Sequence, residues 1–500
     1  MINNAATALK LTLKDVKIDV SDTGDEWYGV VGKAALSVQG KGNVEIELDG
    51  DNELKSGFNR AGLEKNTSDS TGTLTLKDDK KDDNKEAGSL KATGGKYGAG
   101  IGGSKDNGTN NITINGGTVN AAGGNGAGIG GGDRGSGENI TINGGTVTAA
   151  SGSGAGIGGG EKGSGKNITI NGGTVEATGG DFGAGIGGGA AGSGTNITIT
   201  GGTVTATGSV FGAGIGGGEK GNGKNITITG GTVNAAGGNG AGIGGGEKAN
   251  GEDITITGGT VTAKGHLGGA GIGGGEKGNG KNITITGGTV TAKGGVFGAG
   301  IGGGYGGIGS NVTVSGAAQV TAIAGKPDLG GAGATIGGGS STQDSDGNTV
   351  PTPGTEIQAD IKGLTTGYIH HIIYNLDDSL KREWWEFALP KPIPDGESLD
   401  LHVETLKGAP LLFNTRQQGS TLRVTSDNLS ARLHGTRQAL EALQEQGVEQ
   451  IQFVTTLKTT TLSVEDLLTE GGSWFALEHD GLVSRQLSAA QAESLKCWMH

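Results

Sequence analysis

The chain is poor in the residues that ordinary globular cores are made from: aromatic side chains make up 4% of its 500 residues. A string of conventional domains, each with its own aromatic-rich core, is therefore excluded. One cysteine, Cys497, rules out an internal disulfide and leaves the redox compartment open. Seven prolines and no Gly-X-Y period exclude collagen. Basic residues are outnumbered, giving a net charge of −13 that repels phosphate backbones and anionic lipid alike, so neither nucleic acid nor a membrane surface is an expected partner. No run of 18 apolar residues is present to span a bilayer. The start, MINNAATALKLTLKDV, has neither a basic n-region nor an apolar h-region; for an exported protein this predicts that the chain is a piece of a longer one.

What the chain has is glycine, 112 of them, in a fixed pattern. The motif NITI begins at Asn111, Asn139, Asn167, Asn196, Asn225 and Asn282, with DITI at Asp253 and NVTV at Asn311. Successive starts fall 28 or 29 residues apart, and GAGIGGG keeps step, placing its isoleucine at Ile101, Ile129, Ile157, Ile186, Ile215, Ile243, Ile272 and Ile301. Self-similarity at this period is the mark of a solenoid. Each unit holds three short period-2 segments, NITI, TVTA and AGIG, separated by glycine corners that tolerate positive φ, and helical periodicity is absent. Three strands and three corners make one coil, and stacked coils pair equivalent strands in parallel. The predicted fold is a right-handed parallel β-helix, an all-β solenoid of about eight regular coils and roughly 40 Å at about 4.8 Å per coil, followed by a small C-terminal α/β domain.

Alternation assigns the faces. In one unit Ile140, Ile142, Val147, Ala149 and Ile157 face the axis, while Thr141, Thr146 and Thr148 point out. The asparagine opening each NITI falls at a corner, where stacked amides bond along the axis. Residues 1–100 read as irregular coils that cap the solenoid, 101–340 as its regular part, 341–355 as a polar linker and 356–500 as the α/β domain. The run from Lys77 to Lys85 reads as a solvated loop. In the last region LDLHVETL, STLRVTSD, SARLHG and IQFVTTL alternate as strands. Thr436–Gly447 reads as a helix with a threonine cap and a glycine stop, and Ser463 opens a second short helix. Trp384 and Trp385 are the largest candidates for exposed aromatic rings, though a domain of this size also calls for a tryptophan core, and the adjacent His370 and His371 are expected on opposite faces of a strand.

The series ALSVQGKGNVEIELDGDNELKSG, GTLTLKD, GSLKATGG and GAGIGG, followed by repeated NITINGGTV, resembles bacterial β-helix proteins known as carbohydrate-binding domains, over roughly residues 8–340. They are similar in fold to polysaccharide lyases but non-catalytic. The resemblance implies a secreted or cell-surface protein of gut-type, anaerobic Gram-positive bacteria that binds polysaccharide with the help of calcium. The carboxy-terminal LRVTSDNLSARLHG…ALEALQEQGVEQIQFVTT loosely resembles modules that follow such helices on surface proteins. The leader, wall-sorting signal and dockerin-like calcium loops that attachment would call for are not seen in the chain.

Candidate sites follow from breaks in the pattern. A β-helix enzyme cleaving acidic sugars needs a singular cluster of carboxylates and a basic residue. Here the charges repeat instead, as Asp133/Arg134, Glu161/Lys162, Glu219/Lys220, Glu247/Lys248 and Glu276/Lys277, with Ala190 and Tyr305 interrupting. Repeated pairs suit a solvated ladder worth about 0.5 kcal/mol each, not catalysis. In DGDN, Asp49, Asp51 and the Asn52 amide offer hard oxygens for calcium at alternate positions, and the same residues make an ordinary turn. The 29-residue units carry an extra residue before GAGIGGG, which brings Phe182, Phe211 and Phe297 to one position, with Tyr97 equivalent and Leu267 near it. These rings could stack on sugars or on one another. The expected function is non-catalytic polysaccharide binding or adhesion at a cell surface. The alternatives are a rigid stalk displaying the last domain, an ice-binding surface built on the row Thr141, Thr169, Thr198, Thr227, Thr255 and Thr284, and a lyase-like enzyme.

Overall fold

Hydrocarbon every second residue and glycine at the bends leave each short segment one way to satisfy its backbone, which is to pair with the same segment one repeat later. In the computed structural model, which describes residues 1–79, 88–327, 332–343, 349–387 and 401–495, that pairing holds throughout the repeats. Three sheets run side by side, of 11, 13 and 11 strands. One coil contributes Gly165–Ile170, Thr174–Thr178 and Ile186–Gly187, one strand to each sheet. Ile168 lies over Ile197, Val175 over Val204 and Ile186 over Ile215, all in parallel register. Ile140, Ile142, Val147, Ala149 and Ile157 are all buried on the axis, as alternation predicts. Each inward isoleucine contributes about 1.5–3 kcal/mol relative to an exposed one. It does so only against the coils above and below.

The solenoid is longer than the eight regular repeats. Irregular coils at the amino end supply Leu9–Lys14, Lys17–Asp19, Leu36–Ser37 and their successors to the same three sheets. Eleven strand levels at about 4.8 Å make roughly 50 Å of stacked sheet. Lys65 marks the irregular part. It follows a strand that pairs with Ile101–Gly102, and it is fully buried where the regular coils have glycine. Its ammonium donates to Asn110 O at 2.7 Å and Asn110 Oδ1 at 2.9 Å, and burial pushes its pKa down to about 8.

The carboxy-terminal end corrects the sequence reading of a second domain starting at 356. Tyr368–Tyr374 pairs in parallel with Gln319–Ile323 as a further rung of the second sheet, and Leu380–Phe387 closes that sheet antiparallel. Trp384 and Trp385 therefore belong to the solenoid sheet: Trp384 stacks on buried His371 at 4.4 Å, and Trp385, 43% exposed, stacks on His370 at 3.8 Å. The two histidines do take opposite faces. The polar segment after residue 340 also contains a two-stranded sheet, Ser341–Gln343 with Thr349–Thr352. The chain divides into compact units Met1–Ala388 and Leu389–His500. Most of the Lys77–Lys85 run and Cys497 lie outside the described residues.

The second unit is α/β, as its pattern implied. Four strands, Leu401–Glu404, Ser430–Thr436, Trp474–Asp480 and Val483–Leu487, form an antiparallel sheet, and Asn414–Gln418, Thr421–Thr425, Gln450–Val454 and Thr459–Ser463 form a mixed one. Helix Arg437–Glu445 is capped by Thr436, whose hydroxyl accepts from Ala439 N, and Val464–Thr469 by Ser463 in the same way. Leu440, Leu443, Phe453, Val464 and Leu433 meet in its core.

Candidate functional site

The corners flanking the GAGIGGG strand carry the side chains that depart from the repeat. The residue four before the isoleucine and the residue four after it in the next coil are hydrogen-bonded neighbours. Glu219 N donates to Phe182 O at 2.9 Å, Glu247 N to Phe211 O at 2.8 Å, Asp133 N to Tyr97 O at 2.8 Å and Ser340 N to Phe297 O at 2.8 Å. An aromatic column therefore runs beside an acidic one along a single rim. The four aromatics predicted for this column do share the corner, but they form three separate groups.

Phe182 and Phe211, on consecutive coils, stack at 5.6 Å with their planes 9° apart. Both are half-buried. Asn125 and Ser153 separate them from Tyr97, which takes Phe58 edge-on at 5.6 Å, and Asn239 and Gly268 separate them from Phe297. Phe297 adopts φ +69°, a left-handed conformation that costs a bulky residue on the order of 1–3 kcal/mol, and its ring lies against Tyr305 at 5.4 Å. Tyr305 occupies the place held by the acids in other coils, so the repeat is broken on both sides of this contact.

The charged column is a row of turns. Asp106, Arg134, Lys162, Lys220, Lys248 and Lys277 all sit at φ near +60°. Lysines pair with the acid just before them, Lys220 with Glu219 at 2.7 Å and Lys248 with Glu247 at 2.5 Å, the lysines exposed and the acids largely covered. Burial, reinforced by the Glu161 carboxylate, pushes Asp133 up, whereas in Glu247 burial is outweighed by bonds from Lys248 and Asn239, which hold it down. Ala190 and Ala191 leave a gap in this column in the coil that carries Phe182.

The calcium candidate DGDN is split by its own strand. Asp51 is exposed, and its carboxylate accepts from Ser89 Oγ at 2.8 Å. Its neighbour Asn52 points the opposite way, into the coil, where Oδ1 accepts from Val16 N at 2.9 Å and Nδ2 donates to carbonyls that include Leu13 and Ser89. Asp49 faces Lys14 at 3.2 Å. The three oxygens do not converge, because consecutive strand residues face opposite sides. Among the described residues no group of three or more His, Cys, Asp or Glu is placed to hold a metal ion.

Two further aromatic features stand outside the repeat column, the second of them not anticipated from the sequence. Tyr368 and His370 of the last rung meet Trp385 and Phe387 of the closing strand in one aromatic stripe, His370 and Phe387 stacked on Trp385 and Tyr368 edge-on to it, with His370 Nε2 2.5 Å from Glu383 Oε1. In the irregular coils, Trp27 and Tyr28 stand at the tip of a hairpin, 95% and 85% exposed. The signal for the hairpin was Asp25 followed by Gly29, an ordinary turn pattern with two large rings inside it.

Comparison with known proteins reaches the repeats alone. Residues 86–105, 112–133, 140–161, 168–190, 197–219, 226–247, 254–276 and 283–305 match the family model described as a beta helix repeat. No curated protein and no solved structure matches the chain. The eight matches keep step with the three-sheet stack, and the fold of the first unit is a right-handed parallel β-helix built from such repeats.

Proposed function

We propose that the chain is a non-catalytic scaffold that binds polysaccharide at a cell surface or outside the cell. The observation that carries the reading is the Phe182–Phe211 pair: two half-buried rings on successive coils, on the rim shared with Glu219 and Glu247 and in the coil where Ala190 leaves a gap. Aromatic faces take up the C–H faces of sugar rings, and the exposed lysines Lys220 and Lys248 at the same corner can donate to sugar oxygens. A scaffold that repeats about every 4.8 Å suits a polymer whose unit is a single sugar ring. The absence of catalysis is argued from the register of the charges, since the acid–lysine pairs recur coil after coil and close on each other.

Calcium enters the same proposal through the exposed Asp51 and the partly covered Asp49 next to it, without Asn52. The test is a glycan array on the full chain, run with calcium and with a chelator, alongside the double variant Phe182→Ala/Phe211→Ala. Retention of at least one polysaccharide class that falls tenfold or more in the variant is the expected result. No retention above an inert protein control, or a variant that binds like the parent, would sink the reading.

A further inference from the structure

A tryptophan and a tyrosine in full contact with water stand out in a chain with so few aromatic residues. The hairpin that carries them is held in shape from within. Asp25 and Val30 exchange backbone hydrogen bonds at 2.8 and 2.9 Å. The Asp25 carboxylate accepts from Trp27 N at 2.7 Å and Tyr28 N at 3.1 Å, and Gly29 turns the chain at φ +64°. Glu26 ties the hairpin to the regular corner: its carboxylate accepts from Lys96 Nζ at 2.6 and 2.7 Å and from Tyr97 OH at 3.0 Å. Tyr97 heads the aromatic column, and Lys105 lies 4.8 Å from its ring. The two exposed rings thus sit on a fixed support at the start of the same rim that bears Phe182 and Phe211.

We propose that the Asp25–Val30 hairpin is a sugar-binding clamp, in which Trp27 and Tyr28 take the C–H face of a neutral pyranose and the polar groups at its base bond the ring hydroxyls. The inference rests on the polysaccharide-binding reading above and names a site and ligand class for it. Three features select this ligand. Two rings are too small a patch for stable protein docking, which uses contiguous apolar areas of several hundred Å², but they match one or two sugar rings. The backbone that carries the rings is fixed before binding, so the freedom lost when the ligand arrives is that of the two side chains alone. The net charge of −13 disfavours an anionic polymer.

The experiment titrates the full chain with neutral oligosaccharides drawn from the array and follows tryptophan fluorescence and retention. Trp27→Ala/Tyr28→Ala is expected to lower apparent affinity at least tenfold with an unchanged melting temperature, since neither ring is packed inside. Glu26→Gln, which weakens the tie to Lys96 and Tyr97 and so acts through hairpin position, is expected to give a smaller loss. A parent that binds and a double variant that binds equally well overturns the clamp and leaves the Phe182–Phe211 reading standing. A parent that binds no glycan overturns both, and retention confined to anionic polymers overturns the ligand class.

Discussion

The corner residue that opens each NITI strand works twice. Asn111, Asn139, Asn167, Asn196, Asn225, Asp253, Asn282 and Asn311 all adopt φ between 52° and 56°. Their short polar side chains are among the few that tolerate this conformation. From Asn139 onward the amides form a ladder, each Nδ2 donating to the Oδ1 one coil earlier at 2.9–3.0 Å, as from Asn139 to Asn111 and from Asn225 to Asn196, while Asn111 at its foot donates to Thr71 O. Asp253 accepts from Asn282 at 2.9 Å but, ionised, has no proton to give Asn225. Its one ion pair, with exposed Lys224 at 3.7 Å, is a weak surface contact. Asp253→Asn should close the ladder and stabilise the solenoid by about 0.5–1.5 kcal/mol. Urea denaturation of the two proteins checks it, and an unchanged or lower midpoint would refute it. The ladder was legible from spacing alone. The left-handed backbone beneath it was not, because a period reports which residues align and says nothing of their φ. Asn52 was misread for a related reason: a turn-like composition concealed a strand that sends Asp51 out and Asn52 in.

At the scale of the strand, the GAGIGGG motif is governed by its fifth residue. Gly158 has φ +134°, and a Cβ there would lie 2.0 Å from Gly187 O. The equivalent glycine of every regular coil is in the same position, so the third sheet is two residues wide and the coils close tightly. Gly158→Ala is expected to cost about 1–3 kcal/mol or more, from backbone strain and from the coil above being pushed away. A melting temperature within a degree of the parent's would contradict this account. Strand existence and facing were readable wherever glycine and isoleucine recur. They were lost at Tyr368–Tyr374, which has no glycine and lies outside the repeat, yet pairs with Gln319–Ile323 and buries Ile369 in the same core. Trp384 and Trp385 were assigned to the wrong unit for that reason. The exposure of Trp27 and Tyr28 was equally invisible, since they lie outside the repeat and alternation cannot say how far a hairpin stands from the sheet.

At the scale of the molecule, the second unit carries its own response to acid. In the second unit, burial pushes His434 and His479 below the ordinary histidine range: His434 lies under Trp474 at 4.6 Å, and His479 bonds Thr455 and Thr460. Their folded pKa values fall below the unfolded value near 6.5, so the unfolded chain binds protons first. The stability they contribute is present above about pH 6.5 and is lost as pH falls through the folded values. In Glu478 burial is outweighed by the bonds of Arg485 and Arg432, which hold it low and add a loss of the same sign at lower pH. Urea midpoints for residues 401–495, read by hydrogen exchange from pH 8 to 5, should fall, and His434→Gln/His479→Gln should flatten the slope. A midpoint independent of pH would refute the assignment. The solenoid has a different freedom, which follows from coils that pair in register with near copies of themselves. Duplicating or losing one 28- or 29-residue block in the gene leaves every remaining inward neighbour a near-identical one. The distance between the Trp27 hairpin and the Tyr368 rung is thus a ruler graduated in single coils, and descent can reset it without inventing a new core.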